Sequence, residues 1–520
     1  MSSIQLFLCR MRQGINGNVT YIIIFCTIKS LKKPKIMNKD GPRKENYILP
    51  KNGVKDSLLL SAMQRWSKQD EARWQDGQVS GGIYHGEEEH MKLQNHALAM
   101  FALSNPLHGD IWPSVAKMEA EIISMTSNLV NGGDTEVCGA ITSGGTESIV
   151  MSVKTHRSWA QARGIEHPEV IGCFSSHAGL DKACEMLKVK LIKTPFDPDS
   201  CEMMVEQVAK YITPNTIMVY ASAPNYPQGI IDPIAALSEL VLSKPAGNPI
   251  GLHVDCCLGG FFLPFARKLR RNIPAFDFGL EGVSSMSCDT HKYGFAAKGT
   301  SVILYRNSEL RNYQFFTYPA WTGGMYVTPT TAGSRPGALS AACWCSMMRL
   351  GEAGYLEATE RILSTTEKIT NAIRRTPGLY VLGDPKAMIV AFGSKAFNIY
   401  AFSDAMGQRG FGMSPCQSPA CVHLCVTIRH CHVVDQIIAA IQDIAEQMLE
   451  DPEMGKDTKV AVYGASRSSD TKSSGEDSTN ADPRRSGMLR YMSKTLDMPY
   501  NAVYRPKPTK KKIATTNSKL

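Results

Sequence analysis

A lysine stands in the run Ser287-Cys288-Asp289-Thr290-His291-Lys292-Tyr293-Gly294, directly after a strand-like stretch. Lysine is seldom interior without a partner, and one whose pKa is lowered by its surroundings can form a Schiff base with a carbonyl. Upstream, His253-Val254-Asp255-Cys256-Cys257-Leu258-Gly259-Gly260 ends an apolar run in an acid followed by glycines. A carboxylate so placed can pair with a protonated ring nitrogen and keep that ring an electron sink. Thr142-Ser143-Gly144-Gly145-Thr146-Glu147-Ser148 brings glycines and hydroxyls to the start of a helical stretch running through Ser158. The N–H groups and positive dipole end of a helix at such a turn bind phosphate. Ser175-Ser176-His177-Ala178 adds an imidazole after another strand-like run.

Each feature alone has a structural reading: a surface lysine, an aspartate capping the next helix, a Gly-rich cap, a histidine satisfied in the core. Their order along the chain is what a pyridoxal 5'-phosphate site needs. That cofactor carries a carbonyl, a phosphate and a basic ring nitrogen.

The elements that must position these groups follow from hydropathy. Short strand-like runs at Val137–Thr142, Val170–Phe174, Lys190–Lys193, Thr216–Ala221, Ile250–Val254, Val283–Cys288 and Ser301–Tyr305 alternate with helical stretches. This is the pattern of a mostly parallel sheet with helices on both faces. Functional loops in such sheets gather at the strand carboxyl ends. A long helical stretch from Ala341 to Arg375 leads to a second set of strand-like runs, Met388–Phe392, Phe397–Phe402 and Val422–Ile428. An amphipathic helix from Val434 to Leu449 follows, with Ile437, Ile438, Ile441, Ile444, Ala445 and Met448 as its buried stripe. The expected organisation is a basic segment at 1–50, a helical segment at 51–133, a cofactor-binding large domain at 134–340, a small α+β domain at 341–450 and a basic, disordered tail at 451–520.

TSGGTES, HVDCCLGG, DTHKYGFAAKGT and GGMYVTPTTAGSRPGALSAACW together resemble the motif series of sphingosine-1-phosphate lyases, and the resemblance spans roughly 79–446. It implies the fold-type I architecture of pyridoxal-phosphate enzymes (aspartate aminotransferase-like) and a homodimer with active sites at the subunit interface. By the same resemblance Lys292 would carry the cofactor as a Schiff base, Asp255 would pair with its ring nitrogen and His177 would stack on the ring. Gly144, Gly145, Thr146 and His291 would hold the cofactor phosphate, with Gly333 and Ser334 approaching from the neighbouring subunit. Tyr84, His108, Lys298 and Tyr326 match positions used for the substrate phosphate and for proton handling, so Tyr84, Lys298 and Tyr326 join Lys292 as catalytic candidates. Two small departures stand out: Cys256 where relatives often carry Ala, and Ala297 where they often carry Pro.

The implied reaction is retro-aldol cleavage of a phosphorylated sphingoid base to a long-chain aldehyde and phosphoethanolamine. The alternative is a pyridoxal-phosphate amino-acid decarboxylase, which usually shows Asn-Pro-His-Lys where this chain has Asp289-Thr290-His291-Lys292. A non-catalytic scaffold is a third class, argued against by retention of Lys292 and Asp255.

Bulk properties agree with an ordinary globular body: hydrophobic residues make up 43% and charged residues 20% of 520. The net charge of +9 is uneven, since residues 1–39 hold seven Lys or Arg and no acid, and 484–520 hold ten against Asp497 alone. The segment between is left at −7, which argues against nucleic acid as a substrate. The basic ends leave open a contact with anionic lipid, giving an expected location on the cytoplasmic face of a membrane, that of the endoplasmic reticulum in a eukaryote. The apolar run Val19–Ile28 falls short of the ~20 residues a membrane-crossing helix needs. Fifteen scattered Cys point to a reducing compartment. The cluster Cys416, Cys421, His423, Cys425, His430, Cys431 and His432 contains no CxxC pair, so a packed strand is preferred to a metal site and no metal is expected.

Overall fold

Runs of β-branched and apolar residues become the strands of the large sheet, buried on both faces except at the edge strand β3, as parallel sheets favour. They are β1 (Cys138–Thr142), β2 (Glu169–Cys173), β3 (Lys190–Thr194), β4 (Thr216–Ser222), β5 (Gly251–Asp255), β6 (Val283–Cys288) and β7 (Ser301–Tyr305). The order in the sheet is β1-β7-β6-β5-β4-β2-β3, with β3, β2, β4, β5 and β6 parallel and β7 antiparallel to both of its neighbours. Because two reversals cancel, β1 runs in the same sense as β6. The carboxyl ends of β1, β2, β4, β5 and β6 therefore open on one edge of the sheet. The structure is a computed structural model that describes residues 49–455, apart from 72–73, 75–76 and 245–247. The Val19–Ile28 run and the tail beyond 455 lie outside the described residues. Among those described, no helix is long and apolar enough to cross a membrane.

A hairpin of β8 (Phe316–Tyr318) and β9 (Tyr326–Thr328) follows the large sheet. Beyond it, β10 (Leu379–Val381), β11 (Ile389–Ser394), β12 (Ser414–Cys416) and β13 (Cys421–Cys425) form an antiparallel sheet in the order β10-β11-β13-β12. The helix Val434–Glu450 turns the expected stripe inward at Ile437, Ile441, Ile444, Ala445 and Met448. Two expectations for this region are corrected. Phe397–Phe402 is not a strand but enters the helix Ile399–Gln408, started by Asn398, whose side chain accepts from the Tyr400 N–H at 2.9 Å. A run with five of its six residues buried fits either period, and the cap decides. The strand expected to reach Ile428 stops at Cys425, because Thr427 caps a single turn of tighter helix, Ile428–His430.

Of the described residues, those from 68 to 455 belong to one compact unit that contains the seven-stranded and four-stranded sheets. Described residues 49–67 fall outside it and include most of the helix Asp56–Glu71, which buries none of its residues.

The long helical segment Gly337–Arg375 is broken at Gly351, where φ is 54° and ψ −174°. Only glycine occupies that region without strain. An added Cβ would meet nothing within 4 Å. Gly351→Ala is therefore expected to lower unfolding stability by about 1–3 kcal/mol through backbone strain alone, read as a reduced midpoint in denaturant unfolding.

Candidate active site

The carboxyl-terminal edge of the large sheet encloses a cavity of about 350 Å³. Gly144, Gly145, Thr146, His177, Asp255, His291 and Lys292 all line it. Four strand ends, those of β1, β2, β5 and β6, deliver them, so residues far apart in sequence share one wall.

At its base lies Asp255, buried and fully bonded. Oδ1 accepts from the Cys257 N–H at 3.0 Å and the Ser287 hydroxyl at 3.2 Å, and the Tyr220 hydroxyl donates to Oδ2. Burial alone would raise its pKa, but His177, these donors and Lys292 outweigh it and hold the acid ionised below the usual carboxylate range. Tyr220 was not among the expected residues. Its signal was present: a tyrosine inside a wholly buried strand needs a partner for its hydroxyl.

The turn after β6 places Asp289, 2% exposed, with Oδ2 at 3.0 Å from Lys292 Nζ and 3.6 Å from His291 Nε2. Oδ1 has no protein partner. Here an expectation is corrected: Lys292 is not depressed. Burial pushes its pKa down, but Asp289, Cys257, Tyr84 and Asp255 together raise it above the ordinary lysine value. The amine must hand off a proton before it can attack a carbonyl.

Four groups brace this turn. Tyr293 donates to the Val426 carbonyl at 2.7 Å, and Tyr355 to the Gly294 carbonyl at 2.8 Å. His90 Nε2 and Gln94 Nε2 sit 2.8 and 2.7 Å from the Phe295 carbonyl. Phe295 itself has φ 56°, a costly state for a large side chain that persists only when its surroundings impose it. None of these braces was foreseen, because each joins the turn to a distant part of the chain.

Tyr84 and Lys298 stand beside Lys292 but do not line the cavity. Lys298 Nζ lies 4.4 Å from the Tyr84 ring centre and donates to the His291 carbonyl at 3.1 Å. Although Lys298 is exposed along its length, partial desolvation of the ammonium and the Lys292 cation bring it down to about 8. Burial raises Tyr84 well above the ordinary phenol value. His291 is pushed down by burial, and its Nδ1 lacks a protein partner.

His108, Tyr326, Gly333 and Ser334 form a separate group away from the cavity wall. Asn105 gathers two of them with the neighbouring Arg335: its carbonyl accepts from the His108 N–H at 3.0 Å, its Nδ2 donates to Ser334 Oγ at 3.1 Å, and its Oδ1 accepts from the Arg335 N–H at 3.1 Å. A Cβ on Gly333 would sit 2.6 Å from the Tyr326 hydroxyl. Glu147 connects this group to the cavity. One oxygen accepts from the Ser143 N–H at 2.6 Å and the other from both the N–H and the hydroxyl of Thr331. Glu147 and Tyr226 both line the cavity and were not among the expected residues.

The pyridoxal-dependent decarboxylase conserved domain matches residues 74–395. The sphingosine-1-phosphate lyase of Dictyostelium discoideum is 43% identical over 84% of this chain and 81% of its own length. The Saccharomyces cerevisiae sphingosine-1-phosphate lyase is 38% identical over 85% and 75%. The chain belongs to the sphingosine-1-phosphate lyase family. In structure it matches the sphingosine-1-phosphate lyase of Burkholderia pseudomallei with a TM-score of 0.76 at 37% identity, covering 79% of this chain and 94% of that one. A Lactobacillus brevis glutamate decarboxylase, at 19% identity and TM-score 0.66, shares the fold. Both likenesses agree with fold-type I.

Pyridoxal 5'-phosphate is the cofactor of this family, and the cavity fits it. The Gly144 N-cap has no side chain to cap the first N–H groups of the helix Gly145–Gln161, which leaves them for a phosphate. The orphaned His291 Nδ1 adds a polar partner. Ionised Asp255 suits a protonated ring nitrogen, and Lys292 supplies the amine.

Gly145 shows how tight the cradle is. A Cβ there would meet Cys257 Sγ at 2.6 Å and the Asp289 carboxylate at 2.9 and 3.0 Å. Gly145→Ala is expected to weaken cofactor binding by about tenfold or more, roughly 1.4 kcal/mol, measured by titrating the apoprotein with pyridoxal 5'-phosphate.

Proposed function

We propose that this chain cleaves the carbon–carbon bond between the amine-bearing and hydroxyl-bearing carbons of a phosphorylated sphingoid base, releasing a long-chain aldehyde and phosphoethanolamine. The observation that carries this reading is the cavity in which Lys292 and Asp289 face ionised Asp255, in a chain of this family. Bound there, the cofactor supplies an electron sink for the pair released when the bond breaks. In the proposed roles Lys292 makes the covalent attachment and Asp255 holds the proton on the ring nitrogen. His177 covers the ring. Its Nδ1 accepts from the Gly179 N–H at 3.0 Å, which fixes how the imidazole is presented.

Proton handling falls to Tyr84, Lys298 and Tyr326. Tyr84, held high by burial, keeps its proton near neutral pH and suits a donor. Lys298, held at about 8, changes charge close to working pH. We assign its cationic form, with His108 and Tyr84, to the substrate phosphate.

The reading extends to assembly and location. Ser334 is exposed and does not line its own chain's cavity, which supports a homodimer in which Gly333 and Ser334 serve the neighbouring subunit's cofactor phosphate. Exposed Phe316, Tyr318, Trp321 and Met325 around the β8–β9 hairpin are apolar surface suited to such a partner. The basic terminal segments favour the anionic surface of a membrane on its cytoplasmic side.

Lys292→Ala is expected to abolish turnover and the borohydride-fixed cofactor adduct while the protein still folds. An adduct recovered on another lysine would remove Lys292 from this role. Lys298→Ala is expected to lower kcat/KM for the phosphorylated base roughly tenfold to a hundredfold, the effect of losing one charge-assisted bond of ~1.5 to 3 kcal/mol, and to affect the unphosphorylated base much less.

The pH profile separates the two roles open to Lys298. If its cation receives the phosphate, wild-type kcat/KM falls as pH rises through about 8, where that cation is lost, and Lys298→Arg moves the fall to higher pH. A rise through the same pH would make the neutral amine a base instead.

A further inference from the structure

The small sheet holds thiol chemistry that the lyase reaction leaves unused. Cys416, the last residue of β12, and Cys421, the first of β13, are directly opposed partners in the antiparallel ladder. Directly opposed residues in such a ladder have Cα atoms about 4.5 or 5.5 Å apart, and both separations lie within the roughly 4.4–6.8 Å that a disulfide spans. Bridging the pair needs no movement of the strands. Cys421 is fully buried, while Cys416 keeps 9% of its surface.

His423, two residues along β13, makes the pair reactive. Its Nδ1 lies 3.4 Å from Cys416 Sγ and 3.0 Å from the Pro227 carbonyl. A proton on Nδ1 serves both acceptors, so the imidazole donates toward the sulfur. Cys421 as donor, with His423 adding to it, draws the Cys416 thiol down, and the Cys421 thiol is raised in turn. One sulfur is thus the thiolate and the other keeps the proton, the division that a dithiol oxidation requires. The same histidine packs edge-on against Tyr226, ring centres 4.7 Å apart, and Tyr226 lines the cofactor cavity.

We propose that Cys416 and Cys421 form a reversible disulfide site oxidised by hydrogen peroxide, set in the wall behind Tyr226. The Cys416 thiolate attacks one peroxide oxygen, breaking the O–O bond to give a sulfenic acid and hydroxide. The Cys421 sulfur then attacks the sulfenic sulfur and loses its proton, and the leaving hydroxide departs as water. Two thiols lose two electrons, and one peroxide becomes two waters. A dithiol reductant reverses the change by exchange.

The test uses the holoenzyme titrated with hydrogen peroxide, then alkylated in denaturant with iodoacetamide and cut with trypsin. Peptide 410–429 carries Cys416, Cys421 and Cys425. Before oxidation it should carry three alkyl groups. After oxidation it should carry one, on Cys425, with the mass of two hydrogens lost, and dithiothreitol should restore three. In Cys421→Ser the sulfenic acid on Cys416 should persist and be trapped by dimedone. The proposal is overturned if Cys257 and the other thiols oxidise before this pair, if the bridge joins Cys201 or Cys425, or if Cys416 passes to the sulfinic acid with Cys421 still alkylatable.

Discussion

Burying Asp289 beside the cofactor cavity with only one oxygen paired is the constraint on which the rest of the site depends. A carboxylate that is 2% exposed must be answered by cations and dipoles, and Lys292, His291 and the uncapped helix start at Gly145 supply them. The answer has consequences. Gly145 can be nothing larger, because the Asp289 oxygens occupy the place of its side chain. Lys292 stays charged, and burial together with that charge holds down Lys298 and His291 against the pull of Asp289, which raises both. One acid therefore bears on the proton affinity of three neighbouring bases.

Such an arrangement requires a rigid frame, since charge interactions in a buried site change steeply with distance. The frame comes from polar groups rather than from the sheet alone. Tyr355 holds the Gly294 carbonyl, His90 and Gln94 sit on the Phe295 carbonyl, and Tyr293 ties the turn to Val426; together they keep Phe295 at positive φ. On the other side Tyr220 and Ser287 fix Asp255 from the two strands that flank it. Glu147 carries the same rigidity outward, coupling the phosphate turn to the Thr331 loop and so to Asn105, Ser334 and Arg335. Arg335 is locked in turn by a bidentate pair with Glu119, both bonds at 2.8 Å.

Much of this was legible in the amino-acid sequence. The seven runs of the large sheet sit where hydropathy puts them, and the order of a phosphate turn, an acid and a lysine was enough to name a cofactor. The reason is that these features are local: a strand's period, a glycine cap and a strand-terminal acid each act within a few residues. The cavity-lining group was legible for the same reason, since loops at strand carboxyl ends of a parallel sheet converge. Where local signals were degenerate the reading failed, as at Phe397–Phe402, where five buried residues of six fit two periods and the cap at Asn398 decided for helix.

The tertiary structure alone decided what depends on separation in the chain. Nothing in the Asp289–Lys292 run says that Lys292 would be held charged rather than neutral, because its proton affinity is the sum of carboxylates and thiols from several strands set against its own burial. Nor does the sequence around Cys416 and Cys421 distinguish a packed hairpin from a reactive pair; that follows from a strand register and from the Pro227 carbonyl, contributed from far up the chain. Secondary structure is chosen by neighbours in sequence. Charge states and reactivity are chosen by neighbours in space, through interactions that fall off over a few ångströms and do not respect chain order.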